Sequence, residues 1–319
     1  MARVDRTPDS RPTEVVVLAV GGAGALADRL ATALDATRGS AEMRRFPDHE
    51  TYVRIDTAIA GRDVVVAAAL RTPDPTLVPL LLLAATARDL GARRVGLVAP
   101  YLPYMRQDAR FRPGEGITSR YVGRWLSDAF DWLVTIDPHL HRHTSLADVY
   151  DIPATALSAT PAIAAWIRSH VTMPVLVGPD AESAQWVRAV AALANVPCLV
   201  LEKQRQGDRA VDVTVPDVQR WRDHTPVLID DIVSTAQTMS ETTRQLRQAG
   251  LRAPICVAVH AVFADDADVA LTRAGAAAIV TCDTIPHPTN AVATFDILID
   301  GVRRHLVTSA PIASPAPTR

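Results

Sequence analysis

Residues 227–239 read Val227-Leu228-Ile229-Asp230-Asp231-Ile232-Val233-Ser234-Thr235-Ala236-Gln237-Thr238-Met239. An apolar run of strand length ends in two acids, a hydroxyl-rich turn follows, and a helix opens behind it. Such a junction belongs to open α/β sheets, where ligands sit beyond the carboxyl ends of the strands. Two carboxylates at a strand end accept hydrogen bonds from sugar hydroxyls. Ser234, Thr235 and Thr238 offer hydroxyls and open backbone N–H groups to a phosphate. The same residues also make an ordinary N-cap with acids favouring the helix dipole, so the segment alone leaves both readings open.

The pattern repeats in both directions from this point. Upstream, strands are expected at Val15–Val20, Asp63–Ala69, Arg94–Ala99 and Trp132–Ile136, with helices near Ala25–Ala36, Pro75–Leu90 and Ser119–Phe130. After a Pro-containing link near Asp151–Pro161 the alternation resumes. Its strands are Val175–Val177, Cys198–Leu201, Val227–Ile229, Ile255–Val259 and Ala277–Thr281, and its helices lie near Pro161–Ser169, Ala181–Ala194, Thr235–Ala249 and Asp265–Ala274. Continuous apolar strands bounded by helices imply mainly parallel sheets covered on both faces. The fold class is therefore α/β, with two doubly wound domains at residues 14–152 and 153–307 and loose tails at 1–13 and 308–319.

Composition narrows the function. The chain has 319 residues, 48% hydrophobic and 21% charged, which supports two buried cores and a solvated surface. A net charge of −2 lacks the basic excess of a nucleic-acid binder. The longest apolar run, Leu77 to Ala87, is too short to cross a bilayer, and the polar opening residues read as no signal peptide. Three scattered cysteines (Cys198, Cys256 and Cys282) form neither a disulfide framework nor a metal knuckle, and a cytoplasmic location is expected. Of the 33 basic residues only Lys203 is a lysine. Coding bias accounts for such a skew, yet a compact ammonium and a planar guanidinium differ where a phosphate must be met.

Several segments just after strands are unusually polar. Residues 98–115 hold Arg106, Arg110 and Arg112 with Tyr101, Tyr104 and Phe111, a loop suited to polyphosphate and a flat base. Asp137-Pro138-His139-Leu140-His141-Arg142-His143 places three histidines on alternate positions, but no cysteine stands nearby to complete a zinc site. Gly178-Pro179-Asp180 offers a strand-end acid for Mg²⁺ or ribose. Glu202-Lys203-Gln204-Arg205 is a charged strand exit, and residues 45–54 combine an aromatic with two acids. Gly21-Gly22-Ala23-Gly24-Ala25-Leu26-Ala27 mimics a dinucleotide fingerprint, with Glu42 at the distance of a ribose-binding acid, but alone the signal is weak and a simple dehydrogenase has no need of the polar loops above.

Taken in register, Phe46-Pro47-Asp48-His49-Glu50, Arg106-Gln107-Asp108 with Arg112-Pro113-Gly114-Glu115, Asp137-Pro138-His139, Gly178-Pro179-Asp180, Lys203-Gln204-Arg205 and Asp230-Asp231-Ile232-Val233-Ser234-Thr235 resemble the ribose-phosphate pyrophosphokinases. The later Asp283-Thr284-Ile285-Pro286 extends a likeness running from about residue 15 to 307. The resemblance implies two phosphoribosyltransferase-like domains with the active site between them. It implies Mg²⁺-dependent transfer of the β,γ-diphosphoryl group of ATP to O1 of ribose 5-phosphate, giving AMP and phosphoribosyl diphosphate. By the same resemblance Phe46, Asp48, His49 and Glu50 hold adenine of a neighbouring subunit's ATP, so a homo-oligomer, at least a dimer, is implied. Arg106 and Gln107 contact ATP, and His139 and Asp180 belong to the Mg²⁺ site. Lys203 and Arg205 are the catalytic cations. Asp230, Asp231, Ser234, Thr235, Ala236, Gln237 and Thr238, with Arg205, bind ribose 5-phosphate. No nucleic-acid or membrane partner is expected.

The chain departs from the family pattern at three places. Ala236 and Gln237 stand where two glycines are usual, His49 replaces a glycine in the adenine segment, and Ser234 replaces an aspartate. Glycine permits close approach and unusual backbone angles, so side chains at 236 and 237 crowd a phosphate unless the loop accommodates them. Two other readings stand beside the enzyme: a non-catalytic nucleotide-binding regulatory homologue, and a phosphoribosyltransferase. The second has no use for segments 46–50 and 106–115.

Overall fold

The computed structural model describes residues 15–140, 142–179, 183–206, 210–214 and 218–307, with the backbone alone at 202–206, 210–214 and 218. The expected tails, His141 and Asp180 lie outside the described residues. By contact density the chain parts into two units, one reaching to Val98 and including Trp125–Leu133, the other Ala99–Arg124 with everything from Val134.

The chain opens with β1 (Val15–Val20), α1 (Gly24–Ala33), β2 (Thr37–Arg38), β3 (Ala41–Arg45), β4 (Thr51–Ile55), β5 (Asp63–Ala68), α2 (Pro73–Asp89) and β6 (Arg94–Val98). In the first unit β2, β1, β5 and β6 pair in parallel in that order. Val16, Val17, Leu18 and Val64–Val66 are at most 1% exposed, as continuous apolar strands covered on both faces must be. Asp63 closes the lower end of β5. Burial pushes its carboxyl up, but hydrogen bonds from Arg93 and Arg94 outweigh this and hold it below its ordinary range.

One sequence expectation needs correction here, and the weak dinucleotide signal at 21–27 finds its structural explanation. Residues 45–54 are not a strand-end loop but the tip of an antiparallel hairpin, β3 against β4, with Arg45 opposite Thr51. Glu42 sits in that hairpin and is paired to Arg54 and Arg44, not placed toward a ribose. Gly21 serves packing: at φ +68°, a Cβ there would stand 2.4 Å from the Ala69 carbonyl oxygen.

Next come α3 (Thr118–Ala129), β7 (Trp132–Ile136), β8 (Ala154–Leu157), α4 (Thr160–His170), β9 (Pro174–Gly178), α5 (Ala184–Ala194), β10 (Cys198–Val200), β11 (Glu202–Gln206), β12 (Ala210–Thr214), α6 (Val218–Trp221) and β13 (Thr225–Val233). The chain continues through α7 (Gln237–Gln248), β14 (Ile255–Ala261), α8 (Ala267–Ala274), β15 (Ala278–Cys282), β16 (Asn290–Val292) and α9 (Phe295–Val307). In the second unit the sheet order is β10-β9-β13-β14-β15-β16, with all its neighbours parallel. The order reverses between β9 and β13, the switch point at which open α/β sheets bind ligands.

The strand expected to stop at Ile229 runs on to Val233, because its ladder with β14 continues to the pair Val233 and Ala261. Asp230 and Asp231 therefore lie inside the strand. The expected link at 151–161 contains β8. Residues 202–206 form β11, paired antiparallel with β12. Among the described residues no helix is long and apolar enough to cross a membrane.

Candidate active site

In the second unit a cavity of about 620 Å³ opens at the switch point, lined by Asp137, Arg142, Ser158, Ser183, Asp230 and Asp231 among others. β7 delivers Asp137, the α5 entrance delivers Ser183, and β13 delivers the two acids. His139 joins them: its Nδ1 lies 2.8 Å from Asp231 Oδ2, both side chains about a fifth exposed. A carboxylate on one ring nitrogen fixes the tautomer and turns the other nitrogen toward a ligand, the usual arrangement behind a metal-binding histidine. Asp231 Oδ1 accepts from the Ile232 N–H, so that carboxylate is anchored on both oxygens.

Asp137 is held harder still. Its Oδ2 accepts the Ala159 N–H at 2.7 Å, and its own N–H donates to Leu157 O at 2.8 Å. Burial pushes its carboxyl up to about 6 against the opposing pull of the Ala159 N–H and the Ser158 hydroxyl. Sequence reading assigned this residue no role. Its signal was its place in the Asp137-Pro138-His139 segment itself.

Behind β13, Ser234, Thr235 and Ala236 lead into α7. Ala236 takes the left-handed conformation (φ +57°, ψ +13°) and makes no side-chain cap, so the first amides of α7 stay open to an anion. Thr235, Gln237 and Thr238 are exposed, while Ala236 is buried in the core beneath. The turn that glycine usually makes is made here by alanine.

The 99–117 loop is built on internal hydrogen bonds. Asp108 is buried and accepts from Arg142 at 2.9 Å. Arg142 also stacks 5.0 Å over Phe111. Glu115 accepts the N–H groups of Phe111 and Arg112, and its carbonyl accepts from Arg110. Arg106 is exposed, and the Gln107 carbonyl accepts the Ser119 N–H.

In the first unit the hairpin tip presents Phe46, 39% exposed, in edge contact with Tyr52, with Arg44 over both rings. Asp48 accepts the Glu50 N–H, and His49 adopts φ +71°, the angle that favours glycine. His49 and Glu50 line a smaller cavity of about 390 Å³ with Arg45, Asp74 and Pro75. Lys203 and Arg205 stand in β11 opposite Val213 and Val211; their side chains lie outside the described part of the structure. No cluster of three or more metal-ligating side chains occurs among the described residues; the middle histidine of the 139–143 run, His141, lies outside them.

A parallel sheet with paired acids at its switch point, followed by a hydroxyl-rich helix start, is an α/β domain of the kind that holds anionic ligands beyond its strand ends. Residues 15–129 match the N-terminal domain of ribose phosphate pyrophosphokinase, and residues 145–295 match the phosphoribosyl transferase domain. The ribose-phosphate pyrophosphokinase of Methanopyrus kandleri is 34% identical over 290 residues, 90% of this chain and 98% of that protein. That of Halobacterium salinarum is 32% identical, over 90% of this chain and all of the relative. The crystal structure of phosphoribosylpyrophosphate synthetase from Mycobacterium smegmatis matches with a TM-score of 0.83 and 26% identity, covering 93% of this chain and 100% of that one. The chain belongs to the ribose-phosphate pyrophosphokinase family.

Proposed function

We propose that this chain transfers the β,γ-diphosphoryl group of ATP to O1 of ribose 5-phosphate. O1 attacks the β-phosphorus, the bond from that phosphorus to the α,β-bridging oxygen breaks, AMP leaves and the O1 proton is released. The observation that carries this reading is the 2.8 Å pairing of His139 with Asp231, which joins the metal segment to the sugar segment.

The residues divide the work. Asp230 and Asp231 orient the ribose hydroxyls, and Ser234, Thr235 and Thr238 with the open amides of α7 take the 5-phosphate. Arg106, Gln107 and the hairpin residues Phe46, Asp48, His49 and Glu50 hold ATP, the hairpin serving a neighbouring subunit in a homo-oligomer. Lys203 and Arg205 follow the charge that develops on the transferred group. The donor chemistry suits Mg²⁺: hard carboxylate oxygens line the cavity and His139 is oriented by Asp231. His139 and Asp180 would hold Mg²⁺, which neutralises phosphate charge and favours in-line transfer. The functional domains are 14–152 and 153–307, and the setting is cytoplasmic.

Incubation with ATP, Mg²⁺ and ribose 5-phosphate tests the reading. Sugar-dependent AMP is expected. ADP would indicate an ordinary kinase, and nucleotide binding without turnover a regulatory homologue.

A further inference from the structure

Asp137 has φ +34°, and Pro138 follows it. A residue before proline is pushed toward extended conformations, so a positive φ at this place is strained and persists only where neighbours over-determine it. Two of the restraints come from β8 and α4, through Leu157 O and the Ala159 N–H. A third comes from β14. His260 Nε2 lies 3.1 Å from Ile136 O and 3.2 Å from Asp137 O.

Two carbonyl oxygens facing Nε2 require the proton to sit there. His260 is 1% exposed, and burial pushes its pKa down to about 4, so the ring is neutral near pH 7. Nδ1 lies 2.9 Å from the Thr284 hydroxyl oxygen, and that hydroxyl donates to Val259 O at 2.8 Å, which fixes it beside the ring. Thr284 belongs to the Asp283-Thr284-Ile285-Pro286 segment, which the proposed chemistry leaves without a role. That segment is itself fixed: Asp283 Oδ1 accepts both the N–H and the hydroxyl of Thr294, at 2.7 and 2.6 Å. Tyr101 closes the other side, its ring centroid 5.0 Å from the imidazole. A leucine would fill this core position without the cost of burying a polar ring. The ring's proton instead reaches two successive carbonyls at the strained turn.

We propose that His260, set by Thr284, is a positioning residue that holds the Asp137 backbone and thereby aims His139 at Asp231. The assignment rests on the reading of His139 as part of the Mg²⁺ site. His260→Gln keeps an N–H donor close to the Nε2 position, His260→Leu fills the space without one, and Thr284→Val leaves the imidazole but removes the hydroxyl that sets it.

Three measurements on the full chain separate positioning from mere core filling. In metal-free protein, hydrogen exchange across residues 136–143 should quicken about tenfold in His260→Leu, while 225–229 stays as in the wild type. The Mg²⁺ concentration for half-maximal rate should rise about tenfold, as when a group behind a metal ligand is lost. The kcat should fall by roughly 10²-fold with the KM for ATP nearly unchanged. His260→Gln should recover most of each effect. If His260→Leu fails to fold, Thr284→Val decides, with the same changes expected at about a third of the size on a logarithmic scale. Wild-type exchange at 136–143 in a folded His260→Leu or Thr284→Val protein would overturn the proposal. A wild type that makes no AMP, with faster exchange in the variants, would instead refute the functional reading and leave the positioning role standing.

Discussion

The Nδ1 atom of His139 lies 2.8 Å from the Asp231 carboxylate, joining two residues 92 positions apart in the chain. The contact brings the segment that follows β7 against β13 within the second unit. It commits the Nδ1 side of the ring to a carboxylate, and Asp231 keeps its other oxygen on the Ile232 amide. A site assembled this way depends on charge as well as shape.

Asp231→Asn keeps the shape and removes the charge. A hydrogen bond to a charged group contributes about 1.5–3 kcal/mol, so kcat/KM for ribose 5-phosphate should fall roughly 10- to 150-fold. Steady-state kinetics measures this. An unchanged kcat/KM would mean that the pair does no more than close the fold.

Ala236→Gly tests the alanine in the left-handed turn. Release of a strained alanine gains about 1–2 kcal/mol. Loss of its buried methyl costs about 0.8 kcal/mol, and the added freedom of glycine in the unfolded chain about as much again. The terms nearly cancel, so urea denaturation should show a change within about 1 kcal/mol. The KM for ribose 5-phosphate should move less than about threefold, because the turn already has the conformation that glycine would give it. A large fall in KM would show that the Ala236 methyl crowds the phosphate.

Gly96→Ala probes the first unit, away from the proposed chemistry. A Cβ at 96 would stand 2.0 Å from the Trp132 ring, which is 3% exposed and has no room to withdraw. Overpacking of this kind should cost about 3 kcal/mol in chemical denaturation. A stable, folded variant would mean that β6 and the Trp132 ring separate more easily than the packing implies.

His260 gives stability a defined pH dependence. Its folded pKa of about 4 lies below the ordinary 6.5, so between these values the unfolded chain binds the proton and the folded chain does not. Stability from this group is complete above pH 6.5 and is lost as pH falls toward 4. Asp231 and His139 face it from β13 and the Asp137 turn, the first favouring the proton and the second opposing it. Relative to the non-titrating His260→Gln, the wild type should lose about 2–3 kcal/mol between pH 7 and pH 4.5, read as a narrowing Tm difference. A constant difference would mean that His260 is solvated in the native state.

Most of the fold was legible because its core strands are apolar runs. Val15–Val20 and Trp132–Ile136 are found as expected, residue for residue. The two hairpins escaped because Ala41–Arg45 and Glu202–Gln206 carry charges in place of an apolar period. α9 escaped because Gly301 interrupts its pattern. Its own packing explains that glycine, since a Cβ there would stand 2.8 Å from Leu157 and 3.1 Å from Val134. In the site, Asp230, Asp231 and His139 announced themselves as polar groups at strand ends. His260 did not, because its meaning depends on the register that sets Ile232 beside it and on a turn more than a hundred residues earlier.

The central claim concerns which bond of ATP breaks, and ³¹P NMR of a reaction with ATP, Mg²⁺ and ribose 5-phosphate reads this directly. The account requires two coupled phosphorus signals of a sugar 1-diphosphate rising in step with AMP, with no inorganic diphosphate and no ADP at early times. ADP with a single new sugar phosphate signal would contradict it.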